Sequence, residues 1–271
     1  MLDHKIIYNT KTISSDYGAR DYLEGPEKAI LQKLKPELPG MSMLDMGVGG
    51  GRTTKYFAPL AGEYIGADYA PEMLKICRAK YPGRYEFIEC DVRYMNRIQY
   101  DRFDFVLFSY NGIDSFNHEQ RIIALKEIKR VLRPGGYFAF STHNLDWKGL
   151  PELFRLNNKI SRLKYSGKSP VGFLGTYIKA GYSNLRLNLL NKSFSMHNLI
   201  KKLRENERGY LYDNSLDGRA SIYYTTHKEQ VRQLERIGFT GIMPFSQSGR
   251  QTGHKTGLKN SAWIYYLCRK R

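Results

Sequence analysis

Three carboxylates occupy comparable places in a chain that alternates short apolar runs with polar stretches. Asp45 sits in Met43-Leu44-Asp45-Met46, Asp68 closes Tyr64-Ile65-Gly66-Ala67-Asp68, and Asp91 follows Tyr85-Glu86-Phe87-Ile88. A carboxylate accepts hydrogen bonds from a diol or an amine, so three of them in one crevice could hold a ligand carrying both. Between the first two lies Gly47-Val48-Gly49-Gly50-Gly51, where the lack of Cβ atoms permits a tight turn and a close approach of ligand to backbone. Such a loop, after a strand and before a helix, is where a doubly wound sheet binds its nucleotide. Two nucleotide readings fail on residue identity. The dinucleotide fingerprint read from Gly47 requires glycine at position 52, which is Arg52, and Gly51-Arg52-Thr53 lacks the lysine of a phosphate-binding loop. Taken singly, Asp68 also reads as a helix N-cap and Asp91 as a turn residue.

A second group could move protons. His143, in Ser141-Thr142-His143-Asn144, has an imidazole suited to removing a hydroxyl proton near neutrality, and Asp114 is a further candidate base. The competing reading of His143 is a histidine hydrogen-bonded within its loop. His4, His118, His197, His227 and His254 match no metal spacing, and Cys77, Cys90 and Cys268 form no CxxC pair. No catalytic metal is expected.

These residues need elements to position them. Apolar runs at 43–46, 64–68, 85–88, 103–108, 137–140, 239–245 and 262–268 read as strands. Helix-like segments at 53–60, 71–80, 118–132 and 228–237 lie between them, and Pro71 and Pro134-Gly135-Gly136 mark helix ends. Strands alternating with helices imply a parallel sheet covered on both faces, an α/β doubly wound fold. Residues 145–225 break the rhythm and read as an inserted cap with helices of its own, one of them over 196–208. The expected organisation is an N-terminal helical lid (1–40), a core (41–144), a basic cap (145–225) and a return to the core (226–271).

Asp45, Gly47, Gly49 and Gly51, an acid followed by glycines at every second position, resemble the first motif of class I S-adenosylmethionine-dependent methyltransferases. The resemblance runs through 42–144 and resumes near 226–268. It implies a mostly parallel, seven-stranded Rossmann-like sheet and S-adenosyl-L-methionine as cofactor. On it, the glycine loop lies under the methionine half of the cofactor and Asp45 works near its amino group. Asp68 takes the ribose diol, Tyr69 and Met73 flank the adenine, and Asp91 with Val92 and Arg93 meets the adenine edge. Ser109, at the end of the fourth strand, faces the transferred methyl, and Tyr22 closes over the cofactor from the lid. Tyr17, Tyr110, Asn111, Arg219 and Tyr223 are the expected acceptor contacts. Methyltransferases acting on exocyclic base amines usually carry Asn/Asp/Ser-Pro-Pro-Tyr/Phe at this strand end. The proline-free Ser109-Tyr110-Asn111-Gly112 therefore points to a small-molecule acceptor, methylated on oxygen or nitrogen and anionic or sugar-bearing.

Charge is unevenly spread along the 271 residues, whose net is +17. Residues 1–144 hold 20 basic against 18 acidic side chains, and residues 145–271 hold 23 against 8. A surface of this kind attracts phosphates, carboxylates, nucleic acid or an anionic membrane. An RNA or protein methyltransferase is therefore the alternative within the same fold. A membrane-surface adaptor using the amphipathic segment 196–208 is a third reading, from another class. The start Met1-Leu2-Asp3-His4-Lys5 lacks a signal-peptide pattern, and no stretch nears the roughly 18 apolar residues of a membrane span. The expectation is a cytoplasmic protein of undetermined oligomeric state.

Overall fold

The computed structural model describes residues 18–154, 181–193, 195–213, 218–252 and 255–271. Tyr17 therefore lies outside the described residues.

Strands β1 (Ser42–Met46), β2 (Glu63–Asp68), β3 (Glu86–Glu89), β4 (Phe103–Phe108) and β5 (Leu132–Asn144) are parallel, in the order β3-β2-β1-β4-β5. The chain first builds outward from β1 to β3, then returns to the other side of β1 with β4. That reversal opens a crevice above the carboxyl ends of β1 and β4. Strand β9 (Trp263–Lys270) runs antiparallel along β5, and β8 (Phe239–Phe245) pairs with β9.

Among the described residues the sheet has nine strands where seven were expected, with antiparallel pairs beside its parallel core. The two additions form the antiparallel hairpin β6 (Arg208–Leu211) and β7 (Ile222–Thr225), inside the stretch read as an insertion. Strand β5 outruns β4, whose last partner is Phe140, and so leaves an open edge at His143 and Asn144. There β7 pairs with it, His143 to Tyr224 and Asn144 to Thr225, while Trp263 of β9 pairs with His143 on the opposite edge. The run Ile222-Tyr223-Tyr224-Thr225 consists of residues that favour strands, and this edge supplies its hydrogen-bond partners.

Side chains alternate between two buried faces. Phe105, Leu107, Tyr137, Ala139, Tyr265 and Leu267 pack against helix α1 (Gly25–Leu34) through Ile30 and Leu34, and α3 (Pro71–Lys80) adds Leu74 and Cys77 to that layer. Val106, Phe108, Phe138, Phe140, Ile264 and Tyr266 pack against α4 (His118–Val131) through Leu125 and Ile128, and α6 (His227–Ile237) adds Leu234. Helix α2 (Thr54–Phe57) is shorter than the expected 53–60, and α5 (Met196–Glu205) stops before 208, where Glu207 turns left-handed at φ 60°. Met196 and Ile200 of α5 are buried in a third cluster with Leu145, Leu150, Leu211 and Ile222, and Leu199 and Leu203 pack against it. The apolar face of this helix covers protein, not lipid. No helix among the described residues is long and apolar enough to cross a membrane.

Candidate functional site

The glycine loop leaves β1 and turns under the crevice. Gly47 has φ +64°, and a Cβ there would stand 2.8 Å from the Phe108 ring. Gly51 has φ +78°, and its Cβ would stand 2.9 Å from the ring of Tyr81. Both conformation and space exclude a side chain at these two positions. Asp68 is 5% exposed and closes the loop: one carboxylate oxygen accepts the Gly49 N–H and the other the Ala70 N–H, each at 2.9 Å. The helix that follows takes Ala70 as its N-cap, without a side-chain cap, so Asp68 serves the loop instead.

The cavity above the loop holds about 860 Å³ of atom-free space, part of it open to solvent. Gly47, Gly49, Asp68, Tyr69, Met73, Asp91, Val92, Ser109 and Tyr110 line it, so the ends of four strands converge on it. Tyr22, Asp45, Gly51, Arg93, Asn111, Asp114, His143, Arg219 and Tyr223 are not among the described residues that line it.

Several of these act from behind the wall. Asp45 is 1% exposed and accepts from Thr53 Oγ1 at 2.6 Å and Tyr64 Oη at 2.8 Å. Burial raises its pKa to about 6, against the opposing pull of those two hydrogen bonds. It thus ties the end of β1 to the far side of the glycine loop. Arg93 grips Asp91 through Nε at 3.0 Å and a terminal nitrogen at 2.6 Å, and its guanidinium lies 4.8 Å from the ring centroid of the pocket residue Phe116. Arg219 is exposed. Tyr223 is buried in a separate group, accepting from Gln233 at 3.1 Å and stacking on His118.

At the end of β4 two successive non-glycine residues are left-handed, Tyr110 at φ 56° and Asn111 at φ 60°. Such backbone strain gathers at functional sites. Here it is held by the Asn111 N–H donating to Ser141 Oγ at 2.7 Å. The turn sends the Tyr110 ring into the cavity, where the guanidinium groups of Arg20 and Arg52 each lie 5.0 Å from its centroid.

Asp114 and His143 come together next to this turn. Asp114 accepts both the backbone N–H and Nδ1 of His143, each at 2.7 Å. Its other oxygen takes Arg121 at 2.6 Å and Thr142 Oγ1 at 2.7 Å, and Arg121 reaches on to Gln230 at 2.6 Å. Burial pulls the His143 pKa down, but the hydrogen bond and charge of Asp114 outweigh it, and the pKa lies above the ordinary value. The His143 ring sits 5.0 Å from that of Tyr224 in β7.

Sequence reasoning missed a buried group at the cavity wall. Glu27 of α1, 0% exposed, receives Arg52 through both oxygens at 2.6 Å. The same carboxylate accepts from Tyr265 Oη at 3.0 Å and from Ser109 Oγ. Arg20 was missed as well. A basic residue inside the glycine loop was the available signal, since Arg52 is too close to the crevice to be left without a counter-charge. Among the described residues no group of three or more His, Cys, Asp or Glu side chains could hold a metal ion.

Residues 43–136 match a family described as "Methyltransferase domain". The demethylmenaquinone methyltransferase of Chlorobaculum tepidum is 34% identical over 109 residues, 39% of this chain and 43% of that one. A ubiquinone biosynthesis O-methyltransferase of a Bradyrhizobium strain is 32% identical over 115 residues, 41% of this chain and 43% of that one. The chain thus matches less than half the length of these curated relatives. The Burkholderia thailandensis 1,6-didemethyltoxoflavin-N1-methyltransferase, solved with 1,6-didemethyltoxoflavin and S-adenosylhomocysteine bound, superposes with a TM-score of 0.55. That likeness covers 100% of this chain and 91% of the other at 15% identity, a similarity of fold.

Proposed function

We propose that this chain, whose residues 43–136 match a methyltransferase domain, transfers the methyl group of S-adenosylmethionine to oxygen or nitrogen of a small acceptor, anionic or sugar-bearing. The observation that carries the reading is Asp68 at the cavity wall. One of its oxygens braces the glycine loop through Gly49 and the other holds the Ala70 N–H at the start of α3, and a carboxylate with about four acceptor sites can serve a ribose diol as well. Met73, Val92 and Phe116 offer apolar surface for an adenine ring, with Asp91 at its edge. The loop lacks the lysine of a phosphate-binding loop, which suits a ligand without phosphates.

Bound there, the cofactor supplies an electrophilic methyl group on a sulfonium. The chain's own residues align the acceptor and exclude water. In this reading Asp45 and Gly51 act by shaping the loop, and Tyr22 acts through its carbonyl, which accepts from Arg52 at 2.9 Å. Tyr110, with the Arg20 guanidinium 5.0 Å from its ring centroid, forms a wall suited to an anionic acceptor. His143, oriented by Asp114, takes the proton of a hydroxyl acceptor through its other nitrogen. The names of the relatives support a small molecule, since demethylmenaquinone and 1,6-didemethyltoxoflavin are both of that kind.

Nucleic acid is the weaker alternative. In the described part of the basic half, Arg208, Lys228 and Arg232 pair with Glu207 or Glu229, and Lys270 pairs with Asp101. Calorimetry with S-adenosylhomocysteine, followed by a screen of labelled methyl transfer to hydroxylated and aminated small acceptors, tests the proposal. Absence of cofactor binding, or transfer to RNA alone, would overturn it.

A further inference from the structure

The segment from Gly18 to Glu27 crosses the glycine loop under several pins. Lys80 donates to the carbonyls of Gly18 and Gly50. Lys55 pairs with Asp21 at 2.6 Å, with the two side chains 51% and 58% exposed, and such a pair is worth little. Arg52 and Glu27 are the inner pin, 9% and 0% exposed. Their geometry is bidentate, and Glu27 also gathers Ser109 from β4 and Tyr265 from β9.

A buried ion pair is seldom the most stable way to fill such a space, because desolvating two charges offsets most of their attraction. The place of this one suggests what it is for. Arg52 lines the cavity and lies against Tyr110. An uncompensated guanidinium in that wall would repel a sulfonium cation, through a partly buried medium where screening is weak.

We propose that Glu27 is the counter-charge that lets the cavity admit a cationic cofactor, setting the balance between S-adenosylmethionine and its neutral thioether product. Glu27 acts through Arg52 and is a positioning residue. The proposal rests on the reading of the cavity as the S-adenosylmethionine site.

The test is calorimetry on the full chain with both S-adenosylmethionine and S-adenosylhomocysteine. Glu27→Gln keeps the shape of the side chain and removes its charge. It should weaken binding of the sulfonium about tenfold more than binding of the thioether. Glu27→Gln combined with Arg52→Met removes both charges and should return the ratio of the two affinities to the wild-type value. Arg52→Met alone leaves the carboxylate uncompensated and should move the ratio toward the sulfonium, which keeps the test open if Glu27→Gln does not fold. A merely structural pair would shift both affinities by one factor, and that result overturns the proposal. If the wild-type chain binds neither ligand, the methyltransferase reading itself has failed, and this inference with it.

Discussion

Asp114 holds His143 twice, accepting its backbone N–H and its Nδ1 with the same oxygen, each at 2.7 Å. The ring is thereby fixed in orientation, and Nδ1–H is its proton-bearing form whenever the imidazole is neutral. The other oxygen of Asp114 is held by Arg121, which is 0% exposed. A candidate base and two residues behind it therefore form one rigid unit where β5, β7 and β9 meet.

The first prediction concerns pH. The His143 pKa is raised, so a base role requires turnover of a hydroxyl acceptor to climb with pH through a value above 6.5. Asp114→Asn removes the charge responsible and should move that limb to lower pH. His143→Ala should lower kcat by about 10²–10⁴-fold. For stability the sign is opposite: the Asp114–imidazolium interaction contributes fully below the unfolded pKa and is lost as pH rises through the raised folded one. Rate profiles and denaturant unfolding across pH 5–9 read both.

Asp68→Ala removes an acceptor from two backbone N–H groups as well as from the ligand. Affinity for S-adenosylhomocysteine should fall about tenfold or more, with a stability loss of about 1–3 kcal/mol for each orphaned donor. Asp68→Asn retains one acceptor oxygen and should lose less of both. Calorimetry and urea titration separate the two effects, and full-strength binding by the alanine variant would remove Asp68 from the ligand site.

Asp45 offers a contrasting case. Its pKa, raised to about 6, means that the folded chain favours the protonated acid. That contribution to stability is present below the unfolded value and is lost as pH rises through about 6, leaving a cost at neutral pH on the order of 2–3 kcal/mol. Asp45→Asn keeps an acceptor for Thr53 and Tyr64 and should raise the melting temperature at pH 7.5 but not at pH 4. It should weaken cofactor binding less than Asp68→Ala does.

Two ion pairs should differ sharply under alanine-like replacement. Arg121→Met strands a fully buried carboxylate and should destabilise the chain by about 3–5 kcal/mol. Lys55→Met breaks an exposed pair and should change stability by less than about 1 kcal/mol. Guanidinium unfolding of the two variants reads the difference directly.

Much of this protein is local in origin, and that part is legible in the order of its residues. Gly47 and Gly51 declare left-handed turns that glycine adopts without strain, and the near-continuous apolar runs of β4, β5 and β9 declare strands buried on both sides. Asp68 and Asp91 follow from that frame because a strand-end carboxylate needs only its own strand to be placed. The hairpin β6–β7 is not legible in this way, because its pairing partner is the free edge of β5, some eighty residues earlier in the chain.

The same distinction separates the candidate site into two parts. The amino-acid sequence by itself determined the five parallel strands and the glycine loop between the first of them and its helix, since these depend on periodicity and on residues adjacent in the chain. Only the tertiary structure decided that Asp114 serves His143, that Asp45 lies beneath the loop, and that Glu27 of α1 neutralises Arg52. Each of those is a pairing of charged or polar groups brought together by packing, at separations of 29, 8 and 25 residues. Hydrophobic burial is non-directional and reads out as pattern, whereas a buried charge is defined by its partner, and the partner is known only when the chain is folded.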